Sequence, residues 1–108
     1  MSIKIALDCN IGKKRYDELI ELGYVIVTVA QESELDLDWM RRAQKASARF
    51  VISNDIDVPK LIEREGFSMV WVNYPNDNPK YKEWLVQYVD QMIRFKLKVF
   101  ENTIKESK

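Results

Sequence analysis

The chain has 108 residues, 46% of them hydrophobic, a length and apolar content that predict one domain with one core. Seventeen Lys and Arg balance seventeen Asp and Glu, so no global charge draws it to nucleic acid, and without histidine it has no imidazole base or metal ligand. The single cysteine, Cys9, excludes an intrachain disulfide and a Cys-based zinc cage.

Residues 3–8 (IKIALD) form a short isoleucine-rich run, predicted as a strand. Residues 13–22 carry Tyr16, Leu19, Ile20 and Leu22 at helical spacing and run into Gly23, predicting a glycine-terminated helix. Residues 24–30 (YVIVTVA) read as a strand buried on both faces, as in a parallel sheet. The loop QESELD follows, with Glu32 and Glu34 expected as solvated charges. A second helix is predicted with Asp36 as its N-cap and with Leu37, Met40, Ala43 and Ser47 on one face. Residues 49–53 (RFVIS) are a third strand. A short helix follows, with Pro59 in its first turn and Gly66 after its end, and then a fourth strand, SMVWVN.

This alternation predicts an α/β fold: a three-layer arrangement with a four-stranded parallel sheet and flanking helices. Residues 1–76 would form this core. Residues 77–108 are set apart as a C-terminal segment, with one long helix from Lys80 to about Glu106 that packs on the core and projects beyond it. One row of that helix holds Tyr81, Leu85, Tyr88, Met92, Phe95 and Val99; a second holds Trp84, Val89, Ile93, Leu97, Phe100 and Ile104. Apolar side chains past Phe95, with Val99, Phe100 and Ile104, need a cover, either a second copy or a groove on another protein. No apolar run is long enough to span a membrane and no leader pattern is evident, so a cytoplasmic protein with no membrane partner is expected.

Several carboxylates fall where a strand stops. Asp8 ends the first strand, Asp55 and Asp57 follow the third, and Asp36 opens the helix after the second. In an open parallel sheet, ligands bind beyond the carboxyl ends of the strands, near the point where strand order reverses. If the first and third strands are neighbours, these acids converge there. Each also has a plain structural use, as a loop opener or a helix cap. Clustered carboxylates repel unless a cation neutralises them, and oxygen-only ligation points to Mg²⁺ or Mn²⁺. Such a site suits metal-assisted phosphodiester hydrolysis.

The segments ALDCN, DLDWMRRAQKA and FVISNDID together resemble the PIN-like nucleases, especially the short stand-alone ones near toxin–antitoxin systems. Asp8 and Asn10 resemble the family's Asp-x-Asn strand end. Asp36 and Ala43 have the spacing of its mid-chain acid and alanine, and Ser53, Asn54, Asp55 and Asp57 match its third motif position by position. The resemblance covers roughly residues 3–73. It implies a Mg²⁺- or Mn²⁺-dependent ribonuclease with Asp8, Asp36 and Asp55 as metal ligands and Asp57 as a further one. Ser53 and Asn54 would orient the metal-bound water or hold the loop. Cys9 stands where the short members often have glutamate, and Val58 where they often have phenylalanine. The alternative is a catalytically degenerate binding module on the same scaffold.

Basic residues near the first motif, Lys13, Lys14 and Arg15, are candidates for contact with an RNA backbone, or equally a solvated helix face. Arg41, Arg42, Lys45 and Arg49 lie on or after the second helix. Trp39 and Tyr74 are readable as base-stacking platforms or as core.

Overall fold

The computed structural model describes residues 2–9, 11, 13–74 and 85–106, with side chains at all of these except residues 13, 85 and 102–106. The elements alternate as the sequence predicts: β1 (Lys4–Leu7), α1 (Lys13–Glu21), β2 (Val25–Val29), α2 (Asp36–Lys45), β3 (Phe50–Ser53), α3 (Asp57–Glu65), β4 (Val70–Asn73) and α4 (Leu85–Glu106). The four strands form one parallel sheet in the order β2-β1-β3-β4. No described helix is long and apolar enough to cross a membrane.

Alternation along the strands builds two cores. Ile5, Leu7, Phe50, Ile52 and Val72 point to one face, where they meet Leu19 and Tyr24 and, from α4, Val86, Val89 and Ile93. Ala6 and Val51 point to the other, where Trp39, Met40 and Ala43 of α2 and Val58 of α3 cover them. Side chains two apart share a face, so each strand serves both layers. The fold is three layers, with α1 and α4 on one side and α2 and α3 on the other.

Sheet order explains one departure. β2 was expected to be buried on both faces, but it is an edge strand. Of its residues only Thr28 is buried, and Val25 is 40% exposed. The β-branched composition reports a strand and not its place in the sheet. β3 lies inside the sheet, and all four of its residues are buried.

Helix ends follow local chemistry. Gly66 takes a left-handed conformation (φ 69°) and returns its N–H to Glu63, ending α3. Ser47, expected on the α2 face, lies beyond that helix at φ 62°, inside the turn to β3. Leu35 is the α2 cap residue and makes no side-chain cap bond, so Asp36 is the first helical residue and not the N-cap. Its carboxylate still sits favourably at the positive end of the helix dipole.

α4 is described from Leu85, so the expected start at Lys80, with Tyr81 and Trp84, lies outside the described residues. Val86, Val89 and Ile93 are buried, and Met92 and Leu97 pack against the same cluster. Phe100 lies seven residues beyond Ile93, on the same face, yet is 41% exposed. The inner face of α4 has therefore outrun the sheet by that point.

Candidate functional site at the carboxyl edge of the sheet

β1 and β3 are neighbours, pairing Ile5 with Phe50, Ala6 with Val51 and Leu7 with Ile52. The pairing continues one step, with the Asp8 N–H donating to the Ile52 carbonyl at 3.0 Å. Between β1 and β3 the chain direction of sheet assembly reverses, so Asp8 and the β3–α3 turn sit at the switch point where α/β sheets bind ligands.

Asp8 is buried, 9% exposed, and each of its oxygens has a donor. The Cys9 N–H donates to Oδ1 at 2.7 Å and Ser53 Oγ donates to Oδ2 at 2.6 Å. Ser53 is fully buried at the end of β3 and also accepts the Asp55 N–H at 3.0 Å. One hydroxyl thus ties the first carboxylate to the turn that carries the third. The Trp71 indole N–H donates to the Ser53 carbonyl at 2.9 Å, fixing the same residue from β4.

Asp36 reaches this edge from α2. Its Oδ1 accepts the Trp39 indole N–H at 3.0 Å. Trp39 is fully buried, so the partly buried Asp36 carboxylate is held by a side chain packed into the core. Burial pushes the Asp36 carboxyl above its ordinary value, the charges of Asp55 and Asp8 and a hydrogen bond with Asp55 add to this, and the Trp39 indole opposes it. Asp8, Asp36 and Asp55 therefore share one electrostatic neighbourhood.

Asp55 and Asp57 diverge. Asp55 is half-buried, and its Oδ1 accepts the Asp57 N–H at 2.9 Å, an Asx turn that opens α3. Asp57 points outward; its side chain is 71% exposed and lies 3.8 Å from Lys60 Nζ. Asn54 is half-buried in the turn. Asn10 lies outside the described residues.

The oxygen-only donor set matches a hard divalent cation in kind. Among the described residues, however, no three or more Asp, Glu or Cys side chains close into a metal-holding group. Three acids feel one another's charge without forming a ready-made cage. Local desolvation and the adjacent Asp8 push the Cys9 thiol up, which keeps Cys9 protonated and a poor ligand.

The basic residues expected near the site are distributed differently. Arg15 is 9% exposed and its Nη1 bonds Glu18 Oε1 at 2.7 Å, so its charge is engaged within α1. Lys14 is exposed, and the Lys13 side chain is outside the description. Arg42 bonds Glu34 and the Val29 carbonyl, so Glu34 is not a solvated loop charge. Trp39 and Tyr74 are core residues, not stacking platforms.

Residue-type reasoning passed over Lys60 and Arg64, which line a cleft with Asp36, Asp57 and Leu61. Their i, i+4 spacing on α3, starting three residues after Asp57, was the available signal. It also passed over Trp39, three residues after Asp36, and Trp71 as the residues that lock the site. Comparison of the chain with family models, curated proteins and solved structures returns no match.

Proposed function

We propose that the chain is a metal-dependent ribonuclease of PIN-like type, acting through Asp8, Asp36 and Asp55. The observation that supports it is the raised, partly buried Asp36 carboxyl beside Asp55 and Asp8 at the switch point of a parallel sheet. Beyond its burial, the nearby charges of Asp55 and Asp8 add to the cost of charging Asp36, and a bound divalent cation would relieve that cost.

On this reading Asp8, Asp36 and Asp55 would hold Mg²⁺ or Mn²⁺. Such an ion lowers the pKa of a bound water and stabilises charge developing on phosphorus. The chain's own contribution is preorganisation. Ser53 and the Cys9 N–H fix the Asp8 carboxylate, Trp39 fixes Asp36, and the Ser53 hydroxyl sets the position of Asp55. Lys60 and Arg64, in the cleft beside Asp36 and Asp57, would meet the RNA backbone, together with Lys14. Asp57, exposed and paired with Lys60, would act at the rim and not as a central ligand.

The competing reading is a binding module on this scaffold. It draws support from the missing three-ligand group and from the Asp55 oxygen already engaged in the Asx turn. Thermal unfolding with and without millimolar Mn²⁺ separates the two, alongside RNA cleavage under the same conditions. The ribonuclease reading expects the ion to raise the melting temperature of the wild type, to have no effect on Asp36→Asn or Asp55→Asn, and to be required for cleavage. A wild type indifferent to the ion in both assays sinks it in favour of the binding module.

A further inference from the structure

The chain has no net charge, but its charges are not spread evenly. Between Asp38 and Asp55 stand Arg41, Arg42, Lys45 and Arg49, and no acid. At about 100° per residue, Arg41, Arg42 and Lys45 occupy less than a third of the circumference of α2. That arc lies opposite the buried Met40 and Ala43. All four cations are exposed, and so is Lys4 at the start of β1.

The fold carries these charges from one end of the sheet to the other. Arg42 donates to the carbonyl of Val29, the last residue of β2, at 3.1 Å. Arg42 and Lys45 line a cleft with Val29, Gln31 and Ala46. The next residue, Ser47, lines a second cleft with Ser2, Lys4, Arg49 and Glu101. Lys4 and Arg49 stand at the amino ends of β1 and β3, where the Arg49 N–H donates to the Lys4 carbonyl at 2.8 Å. The two clefts are thus one residue apart along the α2–β3 turn. Their cations run from the carboxyl end of β2 to the amino ends of β1 and β3, about 13 Å for a four-residue strand. Countercharge is sparse. Glu34 and Asp38 act on Arg42, and Glu101 borders the second cleft. Arg41, Lys45, Arg49 and Lys4 form no ion pair among the described residues. The dipole at the end of α2 accounts for Arg42 and Lys45, but it gives no reason for Lys4 and Arg49, at the starts of two strands, to share a cleft.

We propose that this face is a docking track for the phosphate backbone of RNA, with Lys45, Arg49 and Lys4 each meeting a phosphate. Point charges set along a path suit a repeating anion better than one compact ligand. Ser2, Ser47 and Gln31 lie among them, side chains of the types that bond phosphate and sugar oxygens. The choice of RNA as the nucleic acid rests on the ribonuclease reading; the track itself does not. On that reading the strand leaves the carboxyl edge beside Arg42 and follows α2 towards the amino edge. Affinity then comes from phosphates well away from the acids, and a single nucleotide is a poor ligand.

Fluorescence anisotropy of a labelled single-stranded RNA with the full chain tests it, in EDTA so that no metal-dependent cleavage occurs. Binding should weaken as salt rises. Lys45→Ala and Arg49→Ala should each make the slope of log K against log salt shallower by about 0.7, the value for one phosphate contact on a single strand. Lys45→Glu combined with Arg49→Glu should weaken binding by at least about tenfold. Both side chains are exposed, so the circular dichroism spectrum should not change. A wild type that shows no salt-sensitive binding overturns the track, and so does a slope unchanged in both alanine variants. Polyglutamate that competes as well as unlabelled RNA also overturns it, and gives the face to acidic protein chains. Binding that follows the track variants in a chain that never cleaves RNA sinks the ribonuclease reading alone.

Discussion

The carboxyl edge of the sheet and the outer flank of α4 are opposite kinds of surplus. At the edge, charge is in excess, and the fold restrains it by hydrogen bonds: Asp8 takes two donors, Asp36 an indole and Asp55 a backbone N–H. On the flank, apolar surface is in excess, and nothing in the described chain covers Phe95. Side chains at the edge are held by partners within one copy of the chain. On the flank, Phe95 and Val99 keep about half or more of their surface exposed.

That contrast can be broken most severely within α4 itself. Ile93 is fully buried and Phe95, two residues on, is exposed. Ile93→Ala should cost about 2–5 kcal/mol of stability, the range for a large-to-small change in a core. Phe95→Ala, measured at high dilution, should change it by less than about 0.5 kcal/mol. Denaturant titration of both variants checks this; equal losses would place Phe95 in the core.

The next effect belongs to the edge. Ser53→Ala removes the donor to Asp8 Oδ2 and the acceptor for the Asp55 N–H. A hydrogen bond to a charged group contributes about 1.5–3 kcal/mol, and the buried carboxylate loses one of its two donors. A melting point within experimental error of the wild type would show that water replaces the hydroxyl fully.

The smallest effect has the opposite sign. Asp36 titrates above its ordinary value of 3.8 in the fold. The protonated form is favoured on folding, so its contribution is fully present below that value and is lost as the pH rises through the raised one. At neutral pH the charged Asp36 is a burden, and Asp36→Asn should raise the melting temperature by roughly 2–4 °C. The advantage should shrink as the pH falls through the raised value and below 3.8, where the protonated form predominates in both states. A constant difference from pH 4 to 7 would mean that Asp36 is not crowded by Asp8 and Asp55.

Much of the fold was legible. Apolar runs mark the strands because β1 and β3 are buried on both faces, and Gly66 stops a helix because only a left-handed residue can return its N–H there. Strand order was not legible for β2, since Val25–Val29 would look the same in the middle of the sheet. At the site, the convergence of Asp8 with the β3 turn followed once β1 and β3 were neighbours. The use of each acid did not follow. Asp55 both opens α3 and faces Asp36, and a sequence cannot say how the two oxygens of one carboxylate are shared. Arg15 has the residue type of a phosphate contact, but a glutamate one turn on engages its charge.

Trp39 and Trp71, two of the chain's three tryptophans, each direct an indole N–H into the carboxyl edge, one to Asp36 and one to the Ser53 carbonyl. The chain thus carries built-in optical probes at the place where its charges gather. Any ion or strand of phosphates that settles there alters the field around two indole rings. Emission from the unlabelled protein is then a direct way to watch that edge fill, with Trp39→Phe and Trp71→Phe telling which side responds first.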